Sequence, residues 1–487
     1  MFIGPKAENT ELLRSHINRL LEHHAEWRQS YHPDDKPLGS SLTDGFKAKL
    51  ESAFNELLSR HDKNLPYFHP RYNAQMLKDP PITAILGYLA FMMSNPNNHA
   101  YEGGPVTTDM EMEVTRTLLD LCGYMDGWGH LASGGSLANL EALWAVREKY
   151  KGGGVYFSEV SHYSWKRICN ILGIQYFTEV PVDENFRIDL DLLEKDLKKK
   201  KTLMVIGNIG STGTGSVDDL EGLLLLKDRY GFHLHLDAAY GGFARSCILD
   251  KHYEVMPQGS TGIKSVHLYR QLELIAESDS ITIDPHKHGL LPYGAGAVLY
   301  KDQNLRDMIL NTAPYTYHQL DKPNIGMFSL EGSRPGAMAA ACWLTYKVMP
   351  PNSKGVGVIV QKCLDQADYF HRSIEKSDYL ANFNKPDLDI NTFYFRDDEY
   401  MRAHVISKKT LEIYHEFSVE NPDAPFILSK FVTPPHIAKR AHRGLRFDDK
   451  ENFTAMRAVF MKPWGEMKNY YYLRMLLDSL NEFCAKL

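Results

Sequence analysis

The chain has 487 residues, which at roughly 100–200 residues per domain implies two or three structural units around at least one large core. Hydrophobic residues make up 43%, aromatics 11% and charged residues 24%, an ordinary globular balance that excludes a largely disordered or collagen-like chain. With 55 Lys and Arg against 61 Asp and Glu the net charge is −6, so there is no electrostatic ground for a nucleic-acid partner.

Six cysteines (Cys122, Cys169, Cys247, Cys342, Cys363, Cys484) contain no C-x-x-C pair. They read as reduced thiols rather than a disulfide framework or a structural zinc centre, and no metal is expected. The first 14 residues include acidic groups and no apolar stretch of the signal-peptide kind. The longest nearly apolar run, 82–93, is shorter than the ~18 residues of a spanning helix. A soluble cytoplasmic protein with no membrane partner is expected.

Residues 1–95 carry Leu12, Leu13, Ile17, Leu20 and Leu21 at helical spacing, then proline-containing connectors at 66–70 and 80–81, which predicts a helical arm rather than a self-sufficient core. From 96 to 350 short apolar runs alternate with amphipathic stretches. Strands are predicted at 154–157, 203–206, 232–236, 280–283 and 295–300, and helices at 136–150, 163–172 and 220–230. Such alternation implies a large α/β domain with a mainly parallel sheet, whose ligands gather at the carboxyl ends of the strands. Residues 351–487 hold strand-like runs at 390–395, 426–431 and 458–461 and a last helix over 465–487, which predicts a smaller α+β domain. The lysine run 198–201 closes a helix predicted from 192 and reads as a solvated helix end.

Three motifs carry chemistry. Ala132-Ser133-Gly134-Gly135-Ser136-Leu137-Ala138-Asn139 is a small-residue turn opening a helix, and exposed N–H groups at the positive end of a helix dipole suit a phosphate. Gly-Gly-Ser is also an ordinary turn with a serine cap. In Phe232-His233-Leu234-His235-Leu236-Asp237-Ala238-Ala239-Tyr240 an acid ends an apolar strand; it suits either a protonated heteroaromatic nitrogen beside a flat ring lying on Ala239, or a plain turn cap. In Ser280-Ile281-Thr282-Ile283-Asp284-Pro285-His286-Lys287-His288-Gly289 a lysine leaves a short strand, where partial burial favours the free amine that attacks a carbonyl.

The order of these motifs, with His162 in Ser161-His162-Tyr163-Ser164 between the first two, resembles the group II pyridoxal-phosphate (PLP) amino-acid decarboxylases of the aspartate-aminotransferase fold, PLP fold type I. The resemblance runs from His69-Pro70-Arg71 to Arg457-Ala458-Val459-Phe460-Met461. It implies PLP as cofactor, with Lys287 joined to it as a Schiff base and Asp237 holding the pyridinium nitrogen. His162 would stack on one ring face with Ala239 on the other, and Gly135 and Ser136 would bind the phosphate, helped by Ser280 and His286. The loop 207–215 resembles the family's Thr/Gly-rich loop near the cofactor, which implies that Asn208, standing where many members have Thr, contacts the ring substituents. Asp284 stands where several amine-forming members have Asn, and the phosphate role is not carried over to it. An Asp three residues before the Lys, and the look of Gly332-Ser333-Arg334-Pro335-Gly336, also occur in sphingosine-phosphate lyases, so a PLP-dependent aldehyde lyase is the alternative.

The implied reaction is loss of CO2 from an L-amino acid to give the amine. Tyr317 or Tyr315, in the loop 311–318, is the candidate proton donor, with His162 as the alternative; the tyrosines could equally pack a loop. Arg334 is a candidate fork for the substrate carboxylate or a structural ion-pair partner. Tyr72 and His99 lie in segments, 67–76 and 97–105, that resemble the family's substrate strips. Tyr67, Phe68, Tyr72 and Tyr101 favour an aromatic substrate, tyrosine first, or serve as core or dimer contacts; glutamate, aspartate and aliphatic amino acids stay open. The resemblance also implies a homodimer wrapped by the helical arm. A cofactor-free nucleotide-binding or scaffold protein is disfavoured, since neither G-x-G-x-x-G after a strand nor G-x-x-x-x-G-K-[ST] occurs. A catalytically dead PLP-fold protein is disfavoured by the joint presence of Lys287, Asp237 and His162.

Overall fold

The computed structural model describes residues 1–39, 42–312, 321–397, 401–442, 444–447 and 451–487. Seven strands, Trp128–Ala132 (β1), Gly154–Ser158 (β2), Phe177–Val180 (β3), Thr202–Asn208 (β4), His233–Asp237 (β5), Ser280–Ile283 (β6) and Gly296–Tyr300 (β7), form one sheet in the order β1-β7-β6-β5-β4-β2-β3. The run from β6 to β3 is parallel, and β7 is antiparallel to both β6 and β1. Strands β2 and β4 are buried at every residue, as strands covered on both faces are, which is why they read as apolar runs without alternation. Strand β3 lies at the sheet edge, half-exposed, and its Phe-Thr-Glu-Val sequence carries no such run. Strand β1 is continuous, but Gly129 and His130 interrupt its apolar run.

Helices Thr10–Ser30 (α1) and Asp44–His61 (α2) bury none of their residues. Helix Ile82–Met92 (α3) behaves differently from the rest of residues 1–95, because it packs on the helix Gly336–Val348. Gly87 permits that approach: a Cβ there would stand 2.6 Å from the Ala340 carbonyl oxygen. Residues 72–73 also leave the arm. Asn73 donates its N–H to Ile427 and accepts from Val459, at 2.8 and 2.9 Å. Helix Pro105–Cys122 (α4) ends at Gly123 in the left-handed region, and Gly135–Tyr150 (α5) follows β1 directly.

The second sheet, Leu380–Asn382 (β8), Ile390–Phe395 (β9), Ser429–Thr433 (β10) and Phe453–Val459 (β11), is antiparallel in the order β10-β11-β9-β8. The strands expected at 426–431 and 458–461 are therefore displaced. Phe426, Leu428, Phe460 and Met461 are fully buried, but they lie in segments flanking the ladders, so their apolar character reflects burial rather than strand pairing. All six cysteines are buried and free. Among the described residues no helix is long and apolar enough to cross a membrane.

Candidate active site

Strands β4, β5 and β6 end side by side, with Asn208 opposite Asp237 and Asp237 opposite Thr282. Their carboxyl ends open into a cavity of about 390 Å³ lined by Gly135, Ser136, His162, Asn208, Asp237, Ala239, Tyr240, Asp284, His286 and Lys287, among others. Three motifs far apart in the chain meet there, as expected for ligands at the carboxyl ends of parallel strands.

Asp237 is the best-supported charge of the cavity. Its Oδ2 accepts from Asn139 Nδ2 and from Trp165 Nε1, each at 2.9 Å. Behind it runs a buried polar chain: Asn139 Oδ1 lies 3.1 Å from His235 Nε2, His235 Nδ1 lies 2.8 Å from the Ser280 hydroxyl, and that hydroxyl lies 2.8 Å from His233 Nε2. Burial pushes His233 down to about 4 and His235 well below its usual range, so both rings are neutral. The expectation for Ser280 is corrected by this arrangement. It opens β6 at the end away from the cavity, is fully buried, and spends its hydroxyl on two histidines rather than on a phosphate.

Lys287 Nζ and His286 Nε2 both lie 3.3 Å from Asp284 Oδ2. Burial raises the Asp284 carboxyl even though Lys287 and His286 pull it down, and burial lowers His286 against the pull of Asp284. His162 accepts the Ser164 N–H at Nδ1, 3.3 Å away, with the Ser164 hydroxyl at 2.7 Å. An accepting Nδ1 agrees with burial lowering the pKa of this ring.

The turn before α5 supplies an anion cradle. No side chain caps the first turn of this 16-residue helix, which leaves its leading N–H groups for a ligand. The turn is held from outside by Glu331, whose carboxylate accepts from the N–H and the hydroxyl of Ser133. Strand β7 packs against it at Gly296, where a Cβ would stand 2.6 Å from Gly134 Cα.

The sequence matches the family described as "Pyridoxal-dependent decarboxylase conserved domain" over residues 61–393. The chain belongs to the pyridoxal-dependent decarboxylase family. It is 28% identical to an L-tyrosine decarboxylase of Enterococcus faecium, covering 95% of this chain and 94% of that protein. It is 31% identical to an aspartate 1-decarboxylase of Aliivibrio fischeri over 59% of this chain and 54% of that protein. The fold matches Oryza sativa TDC with PLP and tryptamine at a TM-score of 0.74 and 15% identity, covering 99% and 98% of the two chains. The protein is a PLP-dependent amino-acid decarboxylase of fold type I.

The residues of this decarboxylase fit its cofactor. An amine, a well-supported carboxylate and an uncapped helix N-terminus border one cavity, and Asp284 Oδ1 and His286 Nδ1 are buried there without a hydrogen-bond partner among the described residues, polar atoms that a bound group would satisfy.

Five further expected residues are placed elsewhere or not described. Arg334 is buried, and its guanidinium donates to Glu111 and to the Leu131 carbonyl, so it is a structural ion-pair partner rather than a free fork. Tyr72 is buried beside Tyr67 and beneath the Lys462 ammonium; neither it nor His99 lines the cavity. Tyr315 and Tyr317 lie outside the described residues. Two supports of the decarboxylase site went unread in the sequence, Asn139 and Trp165. The signal was present: Asn139 closes the phosphate-turn motif and Trp165 follows His162 by three residues.

Proposed function

We propose that the enzyme decarboxylates an aromatic amino acid, tyrosine first, with Lys287 carrying the cofactor and Asp237 keeping its ring nitrogen protonated. The observation that carries the assignment is that Asp237 and Lys287, from adjacent strand ends, border the same cavity. In this reading Gly135, Ser136 and His286 hold the phosphate, His162 and Ala239 cover the two ring faces, and Asn208 borders the ring substituents. Bound PLP supplies an electron sink for the pair released when the bond from Cα to the carboxylate breaks.

The chain's own groups prepare that step. Asn139 and Trp165 both donate to Asp237, which stabilises its charge and so the proton it shares with the ring nitrogen. Asp284 lies 3.3 Å from both Lys287 Nζ and His286 Nε2 and orients them at the phosphate end. Tyr317 or Tyr315 returns a proton to Cα, with His162 as the alternative donor. An aromatic substrate is supported by the similarity to L-tyrosine decarboxylases over most of the chain. It is also supported by the cavity lining, in which Lys287 is the sole Lys or Arg among the described residues; an acidic side chain would call for another.

The enzyme is further read as a cytoplasmic homodimer that needs no nucleic acid. Helices α1 and α2 expose Leu12, Leu21, Trp27, Phe46, Leu50, Phe54 and Leu57, an apolar surface of the kind subunit contacts cover. Removal of residues 1–61 should leave a species that no longer sediments as a dimer; a fully active truncated monomer would refute the arm's role.

The deciding experiment incubates the PLP-loaded enzyme with the common amino acids, follows amines by mass spectrometry, and maps the lysine modified by borohydride. Tyrosine's amine and a pyridoxyl group on Lys287 are expected. Turnover of aspartate alone would overturn the aromatic reading, and modification of another lysine would overturn the site.

A further inference from the structure

Three consecutive residues of the C-terminal region dock onto the cofactor side of the large sheet. Asp387 accepts from the Val217 N–H at 2.9 Å and pairs with Arg187 at 2.8 Å. Leu388 fills the space left by two glycines: a Cβ at Gly210 or Gly241 would stand 2.7 or 2.6 Å from its Cδ1. Asp389, which leads into β9 and is fully buried, accepts from the Tyr240 hydroxyl at 2.5 Å and pairs with His288 Nε2 at 3.1 Å. The rings of Tyr240 and His288 meet edge to face at 4.9 Å.

The two partners of Asp389 are the neighbours of cofactor-facing residues. His288 follows Lys287, and Tyr240 follows Ala239 and itself lines the cavity. We propose that Asp389 is a positioning residue, which fixes the main chain on both sides of the cofactor cradle and makes the seating of the smaller domain a condition for correct placement of Lys287 against Ala239. Cys363 also lies within 4.8 Å of His288 and Asp389. The buried amines of Lys78 and Lys462, both with their pKa lowered by burial, act electrostatically on Cys363 and Asp389. Asp389 acts through the hydrogen bond it accepts from Tyr240 and its close contact with His288, two side chains whose backbones carry the contacts, so its effect belongs to cofactor geometry rather than to bond breaking.

The inference rests on the assignment of Lys287 as the cofactor lysine, and the test separates the two. Asp389→Asn and, as a control from the same docking segment, Asp387→Asn are prepared as apoproteins and titrated with PLP. Three readouts are taken: the dissociation constant from fluorescence quenching, the induced circular dichroism of the bound cofactor, and the thermal midpoint of the apoprotein. Asp389→Asn should weaken PLP binding about tenfold and change the circular dichroism, whereas Asp387→Asn should lower the midpoint and leave PLP affinity within about twofold. Adding His288→Asn to Asp389→Asn should change affinity by less than about twofold, as expected for residues acting as one unit. If both single variants alter only the thermal midpoint, or both weaken PLP alike, the positioning role is wrong. Borohydride mapping of the wild-type enzyme that modifies a lysine other than Lys287 would instead remove the assignment beneath it.

Discussion

The indole N–H of Trp165 donates to Oδ2 of Asp237 at 2.9 Å, the oxygen that also takes the amide of Asn139. A hydrogen bond to a buried charge contributes about 1.5–3 kcal/mol. Trp165→Phe keeps the ring and removes the donor, so kcat and PLP affinity should each fall about tenfold or more. Steady-state kinetics at saturating PLP and a PLP titration check this, and unchanged values would mean that Asn139 alone holds the carboxylate.

The neutral histidines behind Asp237 make the fold sensitive to acid. The folded pKa of His233 is pushed down by burial to about 4, against 6.5 for the free group. The unfolded chain therefore binds the extra proton first, so stability is complete above the unfolded pKa and is lost as the pH falls from 6.5 toward 4. Linkage gives a loss of about 2 kcal/mol at pH 5 from this residue, and His235 adds to it in the same direction. Urea unfolding at pH 7.5 and pH 5 should show this loss in the wild type and a smaller one in His233→Gln. Equal slopes in the two proteins would show that His233 is not the group concerned.

The parts of this architecture that sequence conveys are those whose chemistry is local. Strands at 280–283 and 390–395 match β6 and β9 residue for residue, because a strand buried on both faces writes itself as a short apolar run. Asp237 and Lys287 are legible because each follows such a run and ends at the cavity. What failed was long-range or directional. Ser280 belongs to the same motif as Lys287, but seven residues and the length of β6 separate the two, and at about 3.3 Å per residue a strand start lies far from its carboxyl end. The partner of Arg334 is Glu111 on α4, and no motif records a contact between segments so distant in the chain. Strand β1 was hidden by Gly129, which the close pairing with β7 requires: a Cβ there would stand 2.7 Å from the Val298 carbonyl oxygen.

Arg334 provides a direct check on that correction. Removing it leaves Glu111 buried with, among the described residues, the Asn98 amide at 2.8 Å and the Leu131 N–H at 3.1 Å, and breaking a buried pair on one side costs about 3–5 kcal/mol. Arg334→Met should lower the thermal midpoint sharply, with the substrate KM of the surviving folded enzyme unchanged. Adding Glu111→Gln should recover part of the stability. A large KM increase at unchanged stability would restore the substrate-fork reading.

Gly296→Ala tests the cradle without replacing any polar side chain. The new methyl would meet Gly134 Cα at 2.6 Å and Asp284 Oδ1 at 2.9 Å, and backbone cannot yield as a flexible side chain does. Overpacking of this kind costs about 1–3 kcal/mol. Displacement of the turn before α5 should weaken PLP binding about tenfold, read by titration of the apoprotein, and unaltered affinity would mean that the turn relaxes without loss of its donors.

Asn208 and Asp237 are the closing residues of β4 and β5, strands bonded to neighbours on both sides. Interior strands are the last amides to open, exchanging their hydrogens only through motions close to global unfolding. One wall of the cavity is thus drawn from the most persistent part of the molecule. The pairing register guards it as well, since a slip of one residue between β5 and β6 would turn Asp237 to the opposite face of the sheet. Fraying at the periphery can therefore alter how readily a ligand enters, while the Asp237 carboxylate that borders the cavity keeps its position for as long as the protein remains folded.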